Sequence, residues 1–471
     1  MLFSSITFLF GFLPLVLLVY YISPREIRNF ILMVFSMLFY AWGEPKYIIV
    51  MVISILVGYI TGLLTDHFKK MDKAALARLT MILSVTVNLG ILFYFKYIGF
   101  FTENMNRMFG MNLNILKHSL PLGISFYTFQ ILSYSVDVYS GKATPQKNII
   151  NLAAYITLFP QLIAGPIVRY ETVANQLDKR KETVDLFGEG VSRFVVGLGK
   201  KVLIANICGE IFDNLSKLST DENTICLAWI CAVAYSLQIY FDFSGYSDMA
   251  IGLGKMLGFR FLENFDYPYI SKSITEFWRR WHISLSTWFK DYVYIPLGGN
   301  RKGKGRTIFN LFIVWFLTGF WHGAEWNFII WGLYYFVLLM LEKLFLHDKL
   351  EKAPAFVSRL YALFFINLGW VIFAYDKFPA LKCAVLNMFG GSGLKLGNDL
   401  TIYYLMSYGL FFVIAFIAAT PFPKKVAAKL MENKKEGFQA VVSSIFILAV
   451  LILSTAFLAS EAFNPFLYFR F

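Results

Sequence analysis

Apolar runs of about 20 residues recur along the whole of this chain, and they restrict its fold more than any other feature. An α-helix of that length crosses the hydrocarbon core of a bilayer. Because lipid offers no hydrogen-bond partners, a spanning segment must satisfy its own backbone, as a helix does. The runs lack the short alternating pattern of a membrane β-barrel. The sequence therefore predicts an all-α polytopic membrane protein.

Residues 1–471 are predicted to form a single integral membrane domain. Charged residues make up 15% of the chain, against about 25% in soluble domains, and no polar stretch is long enough to fold separately. Some apolar runs are short or partly polar, so we expect roughly 10–12 spans together with helices in the interface. The first run, residues 2–22, lacks a basic n-region and a cleavage site, which indicates a retained span rather than a signal peptide.

The net charge of +13 comes from basic residues that gather in short loops between apolar runs. This distribution is the one that the positive-inside rule describes for cytoplasmic loops. Membrane lipids are therefore the expected partners of the positive charge, and nucleic acid is not.

His322 interrupts an apolar stretch, IVWFLTGFWHGAEWNFIIWG, in which Glu325 is the other ionisable residue. An ionisable residue is costly at membrane depth, so a functional role is the default hypothesis. Burial disfavours charged imidazole, and the neutral ring is a usable general base. A histidine that merely bonds a neighbouring helix is the alternative. The HxxE spacing lacks a second adjacent histidine or a cysteine, so no metal site is predicted.

A second histidine, His282, lies in the tryptophan-rich segment EFWRRWHISLSTWFKD, residues 276–291. Apolar side chains recur in it at helical spacing, namely Trp278, Trp281, Leu285 and Trp288. Basic side chains fall largely off that stripe, namely Arg279, Arg280 and Lys290. The pattern predicts one amphipathic helix at the membrane interface, with tryptophans at headgroup depth and basic groups toward water or anions. A purely structural helix is the alternative.

The loop GGNRKGKGR, residues 298–306, nearly matches a phosphate-binding P-loop. Gly305 stands where a serine or threonine would hold magnesium, and a helical membrane protein offers no preceding strand, so a nucleotide hydrolase is excluded. Its basic side chains, beginning with Arg301, are expected to meet lipid headgroups or a phosphorylated donor such as coenzyme A.

Five long segments carry a family resemblance: LPLGISFYTFQILSYSVDVY (Leu120–Tyr139), FPQLIAGPIVRY (Phe159–Tyr170), YFDFSGYSDMAIGLGKMLGF (Tyr240–Phe259), TEFWRRWHISLSTWFKDYVYIPLGGNR (Thr275–Arg301) and LTGFWHGAEWNFIIWG (Leu317–Gly332). They resemble the membrane-bound O-acyltransferase (MBOAT) family, in its bacterial alginate-type polysaccharide O-acetyltransferase branch. The resemblance implies a ring of helices around a central tunnel. It also implies a multi-pass enzyme of the bacterial cytoplasmic (inner) membrane that passes acetyl from cytosolic acetyl-CoA to the outer face, without a bound cofactor.

The resemblance also implies roles for residues and partners. The histidine matching His322 is catalytic, and the one matching His282 lies in the reaction tunnel. The side chains around them that are expected to bind donor or substrate are Arg279, Arg280, Lys290, Arg301, Trp281 and Trp321. A secreted or membrane-anchored esterase-like partner is expected to place the acetyl group on an exported polysaccharide.

The chain ends in PFLYFRF, residues 465–471, which resembles the short aromatic C-terminal motif of the related teichoic-acid D-alanylation system. There a tyrosine is proposed to accept the acyl group, so the resemblance implies Tyr468 as an intermediate acyl acceptor. An aromatic-belt residue that anchors the last helix is the alternative.

Polar residues within apolar runs leave other functions open. They are Gln130, Asp137, Gln238, Asp242 and Asp248. Singly each is expected to join helices, and together they indicate a polar interior. Such an interior suits acetyl transfer, D-alanyl transfer to teichoic acid, or, in a different class, a transporter or flippase of a glycan or lipid intermediate. A scaffold subunit of an export machine is a further alternative.

Overall fold

The structure is a computed structural model that describes residues 1–116, 119–163, 165–391, 393–460, 464, 465 and 467. Within these ranges the regular structure is helical and contains no strand, so the predicted all-α architecture is confirmed. The chain divides into two compact units, one of residues 1–194 with 246–262 and one of residues 195–245 with 263–471. The prediction of a single domain stays a prediction.

The α-helices follow one another with short connections. The first part of the chain contains α1 (Leu13–Ile22), α2 (Arg28–Ala41), α3 (Ile48–Lys70), α4 (Ala74–Leu92), α5 (Ile98–Phe109), α6 (Ile124–Ser140), α7 (Ile149–Thr157), α8 (Phe159–Leu162), α9 (Tyr170–Lys179) and α10 (Val184–Gly199). The second part contains α11 (Asn206–Leu215), α12 (Ile225–Met256), α13 (Ile274–Arg280), α14 (Ile283–Phe289), α15 (Gly303–His322), α16 (Trp326–Leu341), α17 (His347–Lys352), α18 (Ala355–Ala374), α19 (Phe378–Met388), α20 (Asp399–Ala418), α21 (Phe422–Met431) and α22 (Glu436–Ser460). Wider π-helical turns lie at Phe8–Phe12, Phe93–Tyr97, Lys200–Ala205, Lys290–Tyr294 and Glu342–Leu346, and 3₁₀ turns at Arg25–Ile27, Pro45–Tyr47 and Pro268–Ile270.

Among the described residues, 7 helices are long and apolar enough to cross a bilayer. They are Pro45–Lys70, Ala74–Phe109, Ile225–Met256, Trp326–Lys352, Ala355–Ala374, Asp399–Ala418 and Glu436–Ser460. Large apolar side chains are exposed along α20, as lipid-facing positions require, with Met406 at 82% and Leu410 at 75%. The range of roughly 10–12 spans and the ring around a tunnel stay predictions.

One span expected from the sequence, over residues 149–168, is wrong. α7 ends at Thr157, and a separate short helix, α8, begins at Phe159. Pro160 lies at the start of α8, where its missing N–H and fixed φ are tolerated, whereas within a continuous helix it would remove a hydrogen bond. The proline therefore divides this apolar run into two helices.

The polar side chains that interrupt apolar runs are buried, as a polar interior requires. They are Gln130, Asp137 and Asp248 in the first unit and Gln238 and Asp242 in the second. Asp248 is paired with Arg193, whose Nη2 lies 2.6 Å from Asp248 Oδ1. Buried charges are therefore retained where a partner of opposite charge is present.

Glu182 joins the start of the first unit to the connection between α9 and α10. Tyr20 donates to Glu182 Oε1 at 2.6 Å, and Arg28 Nη1 lies 3.0 Å from the same oxygen. Partial burial raises the pKa of Glu182, but the hydrogen bond from Tyr20 and the Arg28 guanidinium outweigh it, and the net pKa lies below its ordinary value. The contact therefore stabilises the unit while Glu182 is ionised.

In the second unit, α15 packs against α16 and α16 against α18. The backbones of α15 and α16 meet at Gly319 and Gly332. A Cβ on Gly319 would collide with the carbonyl oxygen of Phe328, and one on Gly332 with that of Trp315. Small residues allow this close approach of membrane helices, and the contact fixes the end of α15, where His322 lies.

Candidate active site

His282 lies at a break between two short helices, so the single amphipathic helix predicted over residues 276–291 is wrong. α13 ends at Arg280 and α14 begins at Ile283, and between them His282 has a left-handed backbone with φ of +45°. The tryptophans are also inside the protein and not at headgroup depth, since Trp278 is 8% and Trp281 3% exposed. The segment is therefore part of the core of the second unit.

Asn264 causes this break and orients the histidine. The N–H of Ile283 donates to the main-chain oxygen of Asn264 at 3.0 Å. The side-chain Oδ1 of Asn264 accepts from the N–H of Ser284 at 3.2 Å and lies 3.1 Å from His282 Nδ1. Because a backbone N–H can only donate, the atom facing it is the amide oxygen, which can only accept. His282 therefore carries its proton on Nδ1 and donates it to Asn264.

This arrangement gives His282 a defined chemical state. The ring is 1% exposed, and burial lowers the pKa of His282 to about 3, so the imidazole is neutral near pH 7. The lone pair belongs to Nε2, which has no hydrogen-bond partner among the described residues. Neutral imidazole with a free lone pair can accept a proton or a hydrogen bond from a hydroxyl.

Glu342 fastens α13 to the end of α16. Its carboxylate accepts from the N–H of Ile274 at 2.6 Å, from the N–H of Thr275 at 2.9 Å and from Thr275 Oγ1 at 2.6 Å. Glu342 is 3% exposed. Sequence reasoning missed this residue, although an acid at the end of an apolar run is the same signal that selected His322.

His322 is the last residue of α15 and is 8% exposed. Its ring centroid lies 5.1 Å from that of Trp331 and 5.3 Å from that of Phe373, both edge to face. The ring of Trp321 lies 5.0 Å from that of His322 and 6.2 Å from that of His282. The structure therefore places both histidines against one tryptophan, which the sequence spacing alone does not show.

A cavity of about 240 Å³ adjoins His282. Its walls include Trp278 and Trp315, and the basic side chains Arg279 and Lys290 also line it. Both basic residues are exposed, whereas His282 is buried. The cavity therefore joins a basic surface to the neutral histidine.

The other residues predicted to bind donor or substrate lie outside the lining of this cavity. Arg280 is paired with Glu276 and Asp266, at 3.0 and 2.6 Å. Trp281 packs on the ring of Trp370, with centroids 4.7 Å apart. Arg301 is exposed in the loop before α15, Trp321 lies between the two histidines, and Tyr468 lies outside the described residues.

Two further features delimit the site. Throughout the described part of the chain, no group of three or more His, Cys, Asp and Glu side chains is placed to hold a metal ion. A smaller cavity of about 170 Å³, lined by Cys231 and Tyr375 among others, contains neither His282 nor His322 in its walls. The chemistry therefore centres on the two histidines.

Fold and site together define a class: a polytopic α-helical membrane protein with two buried histidines beside a basic cavity. Comparison with known families agrees, since a model of the membrane-bound O-acyltransferase family matches residues 144–375. That range contains Asn264, His282 and His322. The chain belongs to the membrane-bound O-acyltransferase family, and it is an acyltransferase.

Curated relatives extend the similarity to the whole chain. The chain is 40% identical to the probable alginate O-acetylase AlgI of Pseudomonas putida, over 100% of both sequences. It is 32% identical to the peptidoglycan O-acetyltransferase of Helicobacter pylori, over 100% of this chain and 98% of that one. Similarity to the teichoic acid D-alanyltransferase of Bacillus subtilis is 33% but covers 55% of this chain and 69% of that one.

Proposed function

We propose that this acyltransferase moves acetyl groups from cytosolic acetyl-CoA across the bacterial cytoplasmic membrane, for O-acetylation of an exported or cell-wall polysaccharide. Full-length similarity to two O-acetylating enzymes, against partial similarity to a D-alanyltransferase, supports acetyl as the acyl group. The observation that carries the proposal is the cavity that joins the exposed Arg279 and Lys290 to neutral His282.

The proposed chemistry uses His322 as general base and His282 as its assistant. The acceptor hydroxyl oxygen attacks the thioester carbonyl carbon while His322 takes the hydroxyl proton. The C–S bond then breaks, and the sulfur leaves as coenzyme A thiol after receiving that proton. His282, held through Nδ1 by Asn264, offers Nε2 as an acceptor that orients the hydroxyl. Apolar rings around His322 keep water from competing with the acceptor.

The donor is proposed to enter beside Arg279 and Lys290. Coenzyme A carries several phosphate charges, and exposed cations at the mouth of a cavity attract such a ligand and bind its phosphates. Arg301 and the other basic residues of its loop add to this field at longer range. Arg280 contributes less, because Glu276 and Asp266 already neutralise it.

The outward half of the reaction is proposed to pass through Tyr468. Its hydroxyl would take the acetyl group as a phenyl ester, which is reactive enough to transfer onward. A secreted or membrane-anchored esterase-like partner would then place the group on the polysaccharide.

A deletion strain complemented with variants tests the function. Alkaline release of ester-linked acetate and D-alanine from surface polymers is quantified for wild type, His322→Ala and His347→Ala. His347 is an exposed control on the same chain. We expect acetate to disappear with the deletion and with His322→Ala, to return with His347→Ala, and D-alanine to stay constant. Loss of D-alanine, or unchanged acetate while the variant is present in the membrane, contradicts the proposal.

A further inference from the structure

Lys201 and Asp242 form a buried ion pair in the second unit. Lys201 Nζ lies 2.7 Å from Asp242 Oδ1, and both side chains are 3% exposed. Lys201 belongs to the π-helical turn Lys200–Ala205 that continues α10, and Asp242 belongs to α12. The two backbones approach closely at Gly245, where a Cβ would lie 2.7 Å from the carbonyl oxygen of Gly197. This close approach brings the two charges together.

A buried ion pair is an expensive way to join two helices. The cost of removing both charges from water often exceeds their attraction, and apolar residues of similar volume frequently stabilise a protein as well. An ammonium has three donors and a carboxylate has two acceptor oxygens. The pair therefore has hydrogen-bonding capacity beyond the contact between its own members.

The C-terminal segment uses this capacity through its main chain. Lys201 Nζ donates to the carbonyl oxygen of Pro465. The N–H of Leu467 donates to Asp242 Oδ2 at 2.9 Å, and the Leu467 side chain is 6% exposed. A carbonyl and an N–H two residues apart are thus bound by opposite charges. Main-chain contacts of this kind set the register of the segment whatever its side chains are.

We infer that the Lys201–Asp242 pair is the docking site of the chain's own C-terminal peptide and positions it for acyl transfer. Asn206 adds a third contact, from its side-chain amide to Asn464 Oδ1 at 3.4 Å. Charge-assisted hydrogen bonds are stronger than neutral ones, so the register of residues 464–467 is fixed. The functional part rests on the proposed relay through Tyr468, which follows Leu467 directly in the sequence.

A pair of variants at Leu467 tests the docking without touching either charge. Leu467→Pro removes the N–H that Asp242 accepts, whereas Leu467→Ala keeps it and controls for the lost side chain. In the full-length protein in lipid nanodiscs, we expect Leu467→Pro to speed carboxypeptidase digestion of the C-terminus and to slow acetyl transfer by about tenfold or more relative to Leu467→Ala, with the KM for acetyl-CoA unchanged. Equal digestion and equal transfer in the two variants overturn the inference.

The double variant Lys201→Met/Asp242→Leu separates positioning from folding. It removes both charges together, so it is expected to melt at or above the wild-type temperature and still to lose transfer to the same extent as Leu467→Pro. Wild-type transfer by this folded variant contradicts a positioning role. Tyr468→Phe isolates the relay: full transfer by it refutes the relay alone, and the carboxypeptidase result still decides whether the segment is docked.

Discussion

Replacing Asn264 is predicted to remove the defined tautomer of His282. In Asn264→Ala, the Nδ1–H of His282 and the N–H of Ser284 both lose the oxygen that accepts them. Asn264 is completely buried, at 0% exposure, so water does not readily replace that oxygen. The histidine is then free to carry its proton on either nitrogen and to rotate, since its ring is no longer held through Nδ1.

The size of the effect follows from those two contacts. A buried donor left without an acceptor costs about 1–3 kcal/mol, so two of them lower the free energy of unfolding by about 2–5 kcal/mol. A misplacement of about 1 Å at a reacting group can cost about 100-fold in rate, and we expect a loss of about 10- to 100-fold in kcat. The KM for acetyl-CoA should change little, because Asn264 is not among the residues that line the cavity.

Turnover in nanodiscs, thermal melting and nitrogen NMR of histidine-labelled protein check this prediction together. Ser284→Ala is the matched control, because it removes a hydroxyl bound to the same oxygen at 2.8 Å but leaves the His282 contact in place. It should keep its rate within about threefold. Asn264→Ala that folds and turns over at the Ser284→Ala rate, or a wild-type spectrum with the proton on Nε2, refutes the assignment.

Three further predictions concern single side chains. Arg279→Ala should raise the KM for acetyl-CoA about threefold to tenfold at low salt, and less at high salt, in a radiochemical assay in which Arg301→Ala shows a smaller change. Glu342→Gln should lower the free energy of unfolding by about 2–3 kcal/mol, measured by thermal melting, because an amide group then faces main-chain N–H donors. Glu182 has a lowered pKa, so its stabilisation is present above the unfolded value of about 4.3 and is lost as the pH falls through the folded value. The melting temperature of Glu182→Gln should therefore lie below wild type at pH 7 and approach it near pH 4, and a difference that is constant with pH contradicts the ion pair.

Sequence reasoning found the features that depend on local composition. The apolar runs predicted helices, and the helix over residues 355–374 has the predicted bounds. His322 was selected because it interrupts such a run, and it is buried beside Trp321 in the structure. The same rule applied to Lys201, a cation within an apolar helix, would have selected a second buried charge that sequence reasoning overlooked.

What escaped prediction depends on contacts between distant residues. The tryptophan spacing favours one helix, and the break at His282 arises from hydrogen bonds to Asn264, which lies 18 residues earlier. Periodicity carries no information about such a pair. Arg280 matched the pattern of a donor-binding residue, but Asp266 pairs with it through folding of the intervening turn. Local pattern thus predicted which residues are unusual, whereas tertiary contacts decide which of them line the cavity.

The role of His322 is tested most directly by a single-turnover experiment. Purified protein in nanodiscs is mixed with radiolabelled acetyl-CoA in excess over product-free enzyme, and release of coenzyme A and transfer of label are followed for wild type, His322→Ala and His347→Ala. A general base contributes about 100- to 10,000-fold to a rate. We expect His322→Ala to lose that much while melting within a few degrees of wild type, and His347→Ala to lose none. Transfer by a folded His322→Ala protein at the wild-type rate contradicts the account of catalysis given above.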